Sequence, residues 1–297
     1  MNPRVNQALL FLAFAAAACG NPQESARKRL GEMNVTYNEQ TFVNRARYGD
    51  LTAVRHFIDA GMPLDVTDER GKTALIVAAE TGREDVVRLL LDQGADVNGQ
   101  DTQYHATALN WAALNGHDAV MTVLLARGAD HGVREQKGGM TALLAAAVRG
   151  HRETAKLLLD KGADPNEKDH QGRTPLIWAA QNGHVSTVEL LLAQGADPTI
   201  KEQKQGADAL LAAAARGRTA ILTRLLQKGA PLGTVDREGR TALMWAVRSG
   251  NAEAAKVLID AGADVGARDT NGNTALTIAR RASKSDVDHL LRNAVAR

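Results

Sequence analysis

Two series of glycines recur in phase along most of this 297-residue chain. Within each series, successive glycines are 33, 34, 34, 33, 34 and 33 residues apart. The first series is Gly61, Gly94, Gly128, Gly162, Gly195, Gly229 and Gly262, and the second is Gly49, Gly82, Gly116, Gly150, Gly183, Gly217 and Gly250. A fixed period of this length indicates stacked units that bury their apolar surfaces only against their neighbours. The sequence therefore predicts one elongated repeat domain, although its length would allow about two ordinary domains.

The unit that begins at Asp169 shows what each repeat contains. Its first five residues are turn formers, and Thr174 followed by Pro175 predicts the start of a helix, since the hydroxyl can cap free amides and proline suits the first helical position. Gly183 predicts the end of that short helix. A second run with a wider apolar face, Val188–Leu192, predicts a second helix. Each helix is too short to be stable alone, so the units must stack.

Units such as DERGKTALIVAAETGREDVVRLLLDQGADVN resemble ankyrin repeats. The resemblance covers roughly residues 39–293 and implies an all-α solenoid of about eight helix-turn-helix units with short β-hairpin-like turns. The first and last units have the character of caps. We place the repeat domain at 39–297, with units near 39–67, 68–100, 101–133, 134–168, 169–201, 202–235, 236–268 and 269–293.

A period of 67 residues underlies the shorter one. Trp111, Trp178 and Trp245 are 67 residues apart and occupy the same place in their units, whereas the units between them have Ala145 and Ala212 there. The sequence Glu-Gln-Lys at 135–137 recurs at 202–204. One interpretation is packing, with a large indole over a small alanine in the next layer. The other is a stripe of indoles that reaches a groove and contacts a partner or ligand.

The first 19 residues resemble a bacterial lipoprotein signal. Residues 1–18 contain Arg4 and an apolar run of eleven residues, which is too short to span a bilayer. Cys19, the only cysteine, follows small residues in the run AAACG, although the family usually has leucine where Ala16 stands. The resemblance implies a cleaved signal peptide at 1–18 and a lipidated Cys19. A plain secretory signal and an uncleaved N-terminus are the alternatives.

The predicted location follows from this signal. Because Gly20 rather than aspartate follows Cys19, the resemblance implies export to the bacterial periplasm or the outer membrane as a lipoprotein. A secreted protein, or a cytoplasmic one if the N-terminus is not a signal, remains an alternative. Residues 19–38 are polar and predict a flexible tether without structure. Membrane contact is then expected only through the N-terminal lipid.

Neither composition nor motifs indicate an enzyme. The single cysteine excludes a disulfide scaffold, and a formal charge of +2 does not predict nucleic-acid binding. No phosphate-binding loop, nucleophile elbow or zinc-protease motif occurs. His117, His151 and His184 recur one repeat apart, where the family often has a structural histidine. We therefore predict no catalytic residue, no metal site and no cofactor.

What remains is a surface for a protein partner. The geometry of the family implies that the turn tips and the exposed side of each first helix line one concave face. This face is basic toward its C-terminal end, which favours a protein partner with an acidic surface. We expect the module to be monomeric. An inhibitor or immunity-type protein that plugs a toxin or enzyme, and a small-ligand carrier that uses the tryptophans, are alternative functions. The candidate partner-binding residues are Tyr104, His105, Arg149, Arg173, Asn182, Arg216, Arg240 and Arg248.

Overall fold

A computed structural model describes residues 21–282 and 285–295, and within them the chain forms seventeen helices. One helix, α1 (Pro22–Glu32), precedes eight helix pairs, and none of these helices is long and apolar enough to cross a membrane. The predicted all-α repeat class is therefore confirmed. The pairs are α2 (Glu39–Tyr48) with α3 (Leu51–Asp59), α4 (Ala74–Glu80) with α5 (Glu84–Asp92), α6 (Ala108–Asn115) with α7 (Asp118–Ala126), α8 (Ala142–Arg149) with α9 (Arg152–Asp160), α10 (Pro175–Asn182) with α11 (Val185–Ala193), α12 (Ala209–Ala215) with α13 (Thr219–Gln227), α14 (Ala242–Arg248) with α15 (Ala252–Asp260), and α16 (Ala275–Arg281) with α17 (Ser285–Val295).

The chain separates into two compact units. The first contains the described residues up to 112 together with 122–129, and the second contains 113–121 together with the described residues from 130 onward. In the first unit α2 packs on α4 and α3 packs on α5. In the second unit the first helices α8, α10, α12 and α14 pack in sequence order, and the second helices α9, α11, α13 and α15 do the same. Neighbour-to-neighbour packing is thus the source of the core within each unit.

The helix boundaries in the unit at Asp169 are those that the residues predict. Thr174 accepts a hydrogen bond from the Ile177 amide at the start of α10, and Pro175 is the first helical residue. Gly183 ends the helix with φ at 92°, a left-handed conformation that favours glycine. Asp208 stands where other repeats have threonine, and its carboxylate caps α12 through the Leu211 amide at 2.9 Å.

The recurring histidines bond to the backbone of the preceding repeat in the second unit. A ring nitrogen of His151 lies 3.2 Å from the carbonyl oxygen of Leu114, and one of His184 lies 3.0 Å from that of Val148. These contacts bridge neighbouring helix pairs at the turn between the two helices. No group of three or more potential metal-ligating side chains occurs in the described part of the chain.

The predicted tether is wrong over most of its length. Residues Pro22–Glu32 form α1, which the Asn21 side chain caps and which packs on α3. Leu30 is completely buried, and Ala26 and Val35 are buried beside it. The first repeat is therefore covered by a further helix and is not itself the end of the stack. The expectation failed because only a few apolar residues anchor a segment that is otherwise polar. Cys19 and the predicted signal peptide lie outside the described residues.

Replacing Leu30 with alanine tests whether α1 belongs to the folded domain. We expect Leu30→Ala to lower the free energy of unfolding by about 2–5 kcal/mol, because it leaves a cavity between α1 and α3. Met33→Ala is the matched control, since the Met33 side chain is 38% exposed. Urea unfolding of the two variants measures the difference. A loss no larger for Leu30→Ala than for Met33→Ala would show that α1 does not stabilise the first repeat.

Candidate functional site

From α4 onward, each first helix of the described residues is preceded by a loop that a carboxylate of the same loop holds in shape, and we call these loops the finger loops. In the loop of residues 169–173, Asp169 Oδ1 accepts hydrogen bonds from the amides of Gln171 and Arg173 at 2.8 and 2.9 Å. Asp68, Asp236 and Asp269 do the same in their loops. The carboxylate replaces backbone partners that so tight a turn cannot supply. Isolated antiparallel bridges at Thr67–Thr73, Gln100–Thr107 and Val235–Thr241 confirm the predicted hairpin-like turns.

Two finger loops of the second unit are one residue longer and use glutamate. Glu202 accepts hydrogen bonds from the amides of Lys204, Gln205 and Ala207 at 2.6–3.2 Å. Glu135 accepts from the amides of Lys137, Gly138 and Met140. The additional methylene of glutamate lets one carboxylate reach three amides of a longer loop. The loop therefore explains the recurring glutamate of the Glu-Gln-Lys sequence.

The same carboxylates orient the three tryptophans. The indole nitrogen of Trp178 donates to Asp169 Oδ2 at 3.0 Å, and that of Trp245 donates to Asp236 Oδ2 at the same distance. In the first unit, Trp111 donates to Asp101 Oδ2 at 2.7 Å. Each indole is half-buried. The tryptophans are thus neither core residues nor free aromatic platforms, because a carboxylate fixes each ring by its one polar atom.

Basic side chains cover these rings. Lys72 Nζ lies 3.3 Å from the ring centroid of Trp111, and the guanidinium carbons of Arg173 and Arg240 lie 4.5 and 4.4 Å from Trp178 and Trp245. A cation over an indole face is attracted by the ring quadrupole. The loops of Asp101, Asp169 and Asp236 thus each place a carboxylate beside a tryptophan that a cation covers, whereas the repeats with the two glutamate loops have alanine in place of tryptophan. This pairing explains the 67-residue period.

A pocket of about 360 Å³ opens where alanine replaces tryptophan in the second unit. Ala212 and Ala215 of α12 lie at this place, and the indole of Trp245 forms a wall. We call it the Ala212 pocket. Its remaining lining residues come from two finger loops and from the first helices α10, α12 and α14: Arg173, Ile177, Gln181, Glu202, Lys204, Gln205, Ala207, Leu211, Arg216 and Ser249.

The Ala212 pocket is cationic. Three cations line it against one carboxylate, that of Glu202. In the described residues, no carboxylate lies within 4.0 Å of a side-chain nitrogen of Arg173, Lys204 or Arg216. Burial would raise the pKa of Glu202, but the three loop amides and the charge of Arg173 together hold it below its ordinary value. Glu202 is therefore ionised, and its oxygens are already occupied by its own loop.

The first unit has a comparable set of cations, but these are neutralised. Lys72 Nζ lies 2.8 Å from a Glu80 oxygen, and Arg47 lies 2.8 Å from Asp68 and 3.7 Å from Glu80. The side chains of Lys72 and Asp68 are almost fully buried in this network. These cations hold the loops together and are not available to a ligand. The cations of the Ala212 pocket differ from these two in having no carboxylate partner in the described residues.

Comparison with known proteins agrees with the repeat geometry. The family model for ankyrin repeats, in three copies, matches residues 42–135, 123–202 and 200–269. The chain belongs to the ankyrin-repeat family. Similar relatives are the ankyrin repeat, SAM and basic leucine zipper domain-containing protein 1 of Ovis aries, of Bos taurus and of Neofelis nebulosa, at 31%, 30% and 32% identity over 79 residues. This match covers 27% of the chain and spans 17% of the length of each relative, so the similarity is one of repeats.

Some predicted partner-binding residues lie exposed on the ankyrin repeats, and two share the Ala212 pocket. Arg173 and Arg216 both line it. Arg149 and Arg248 are exposed at the ends of α8 and α14, with the Arg248 guanidinium 5.5 Å from the ring centroid of Trp245. In the first unit His105 is exposed with φ at 54°.

Other predicted partner-binding residues already contact neighbouring groups within the repeats. Arg240 is only 6% exposed, because it bonds to Asp236 at 2.7 Å and to Glu238 at 2.8 Å while it stacks on Trp245. Asn182 donates to the carbonyl oxygen of Val148 at 2.9 Å. In the first unit the half-buried Tyr104 packs edge-on against Trp111, with ring centroids 5.8 Å apart. These side chains shape the repeat surface more than they offer contacts.

Tyr48 is a candidate that the sequence interpretation missed. Its side chain is 71% exposed at the end of α2, in the first unit. It immediately precedes Gly49, as Arg149 and Arg216 precede their glycines. Its position directly before a glycine of the second series could have identified it, because Arg149 and Arg216 hold the same position. Ser249, which precedes Gly250 and lines the Ala212 pocket, was missed in the same way.

A double-mutant cycle on Asp169 and Trp178 tests the orientation of the indole. In Asp169→Asn the amide oxygen must stay with the loop amides, so the amide nitrogen faces the indole N–H and that hydrogen bond is lost. We expect Asp169→Asn and Trp178→Phe to be coupled by about 1.5–3 kcal/mol in urea unfolding, the range for hydrogen bonds to charged groups. Additive effects would mean that the carboxylate does not hold the ring.

The lowered pKa of Glu202 makes a prediction about pH. A carboxylate with a depressed folded-state pKa stabilises the fold above its unfolded pKa of about 4.3, and that stabilisation is lost as pH falls through the folded value. Glu202→Gln should therefore be less stable than the native protein at pH 7, and the difference should shrink on acidification. Glu153→Gln is the control, since this exposed ion pair contributes little. A difference that stays constant with pH would contradict the assignment.

Proposed function

We propose that this protein binds its partner through the finger loops and the exposed ends of the first helices, and that no residue acts catalytically. Ankyrin repeats are protein-interaction modules and are typically non-enzymatic, and matches to them extend from residue 42 to residue 269. The observation that carries the proposal is the set of exposed side chains at the first-helix ends, including Arg149, Arg216 and Arg248. Loops fixed by their own carboxylates would lose little conformational entropy on binding.

The small-ligand alternative is less well supported. It requires indoles that are free to stack on a ligand, whereas Trp178 and Trp245 are held by aspartates and covered by arginines. A toxin-plugging or enzyme-inhibiting protein would use the same surface as a scaffold does. An inhibition assay with the captured partner separates those two roles.

Site-specific photo-crosslinking tests the surface. A benzophenone amino acid that replaces Arg149 or Arg248 lies at the exposed end of a first helix. One that replaces Lys228 or Lys256 lies on an exposed part of a second helix or directly after it. We expect the first pair to crosslink one protein from a cell-envelope extract and the second pair to leave it unlabelled. Equal labelling from both pairs, or from the second pair alone, would place the binding surface elsewhere.

We also propose that the protein is exported and anchored by a lipid on Cys19. The proposal rests on the apolar run at residues 8–18 and on the position of the only cysteine. In a bacterial host, palmitate labelling of the native chain and of Cys19→Ala tests it. Label on the native chain and none on the variant is the expected result. Cleavage without label would indicate a plain secretory signal, and an uncleaved chain would exclude export by this route.

A further inference from the structure

We propose that the Ala212 pocket recognises a short, extended acidic segment of the partner, with carboxylates two or three residues apart. This inference rests on the proposed function and names the partner chemistry that one part of the surface selects. Three independent properties of the pocket carry it: its shape, its charge and the spacing of its cations.

The shape comes from the alternation of large and small residues. A tryptophan at position 212 would continue the row in the second unit that Trp178 and Trp245 occupy, and the pocket exists because an alanine stands there. Its volume of about 360 Å³ is near the lower end of the range for ligand pockets, roughly 300–1,000 Å³. Apolar floor residues such as Leu211 and Ala215 can cover the methylene groups of acidic side chains. The pocket therefore fits a few residues of a chain.

The charge of the pocket selects an anion. Lys204 and Arg216 are exposed and have no acidic partner in the described residues, and Arg173 adds a third positive charge held over Trp178. Glu202 is directed at its own loop amides. A bound carboxylate would thus meet unpaired cations, whereas in the first unit Arg47 and Lys72 are already paired with carboxylates. Charge-assisted hydrogen bonds of this kind are shorter and stronger than neutral ones.

The spacing of the cations favours a peptide over a small anion. Arg173 and Lys204 belong to finger loops, which lie at the N-terminal end of the first helices, whereas Arg216 follows the C-terminal end of α12. The seven residue steps from Ala209 to Arg216 correspond to about 10 Å along a helix. The cations thus approach the pocket from both ends of α12, an arrangement that an extended chain can span. An extended peptide spaces alternate side chains by about 7 Å and every third by about 10 Å.

The polar rim suits the backbone of such a segment. Gln181, Gln205 and Ser249 line the pocket among the cations and offer both donors and acceptors. A peptide backbone needs partners of both kinds when it leaves water. The rim can therefore satisfy main-chain groups while the cations bind the carboxylates.

Fluorescence anisotropy with defined peptides tests the proposal. The probe is a fluorescein-labelled ten-residue Gly/Ser peptide with glutamate at every third position, and its neutral control has glutamine at those positions. We expect the acidic peptide to bind the native protein at least about tenfold more tightly than the neutral one, with affinity that falls as salt rises.

Three variants locate the binding site. Lys204→Glu with Arg216→Glu reverses two exposed charges and should weaken binding at least about tenfold. Lys228→Glu with Lys256→Glu makes the same change in net charge on the second helices and should leave affinity within about twofold. Ala212→Trp fills the pocket without changing any charge and should abolish binding. Circular dichroism melts of each variant establish that it is folded.

The remaining outcomes decide whether the proposal for the pocket, the proposed function or both fail. Equal binding of the neutral peptide, or unchanged binding by the Lys204/Arg216 variant, would show that the pocket does not select carboxylates. If inorganic phosphate binds the native protein and displaces the peptide at a concentration equal to that of the peptide, this is a small-anion site instead. If no peptide binds while Arg149 and Arg248 still crosslink a partner, this inference fails and the proposed function stands. If the peptide binds and no partner crosslinks, the pocket assignment stands and the proposed surface fails.

Discussion

The structure depends on one interaction that recurs in almost every repeat: a carboxylate that accepts hydrogen bonds from the amides of its own finger loop. In loops such as that of Asp169, this bond fixes the entry into the first helix, where Thr174 then caps the helix. A tight turn leaves backbone amides without partners, and the carboxylate supplies them. The remaining carboxylate oxygen is then free to orient a second group. In the aspartate loops of repeats with tryptophan, that group is the indole.

The loop chemistry thereby determines which functional surface is possible. In three of the aspartate loops the carboxylate holds a tryptophan and a cation lies over the ring, as at Trp245 and Arg240. Where the loop is longer and uses glutamate, all of the carboxylate is needed for the loop and alanine replaces the tryptophan. The Ala212 pocket is a consequence of this second arrangement in the second unit. Its unpaired cations, Lys204 and Arg216, lie on exposed positions that the fold does not require.

The repeat architecture could be predicted from the sequence because it depends on local rules. The glycine intervals, the capping position of Thr174 and the left-handed Gly183 are each determined within one unit. Helix α1 could not be predicted, since its stability comes from Leu30 packing on another element. The sequence also did not show which candidate side chains are free to contact a partner. Arg240 and Arg216 look alike in sequence, but only the folded loop shows that Arg240 is paired with Asp236.

The indole N–H resonances of the three tryptophans give the most direct test of this account. A ¹⁵N-labelled sample should show three indole cross-peaks that exchange slowly with solvent, since Asp101, Asp169 and Asp236 accept from Trp111, Trp178 and Trp245. Titration with the acidic peptide should shift the Trp245 resonance most and leave that of Trp111 in place. Rapidly exchanging indoles would contradict the carboxylate-held rings. Equal shifts of all three would contradict a single recognition pocket.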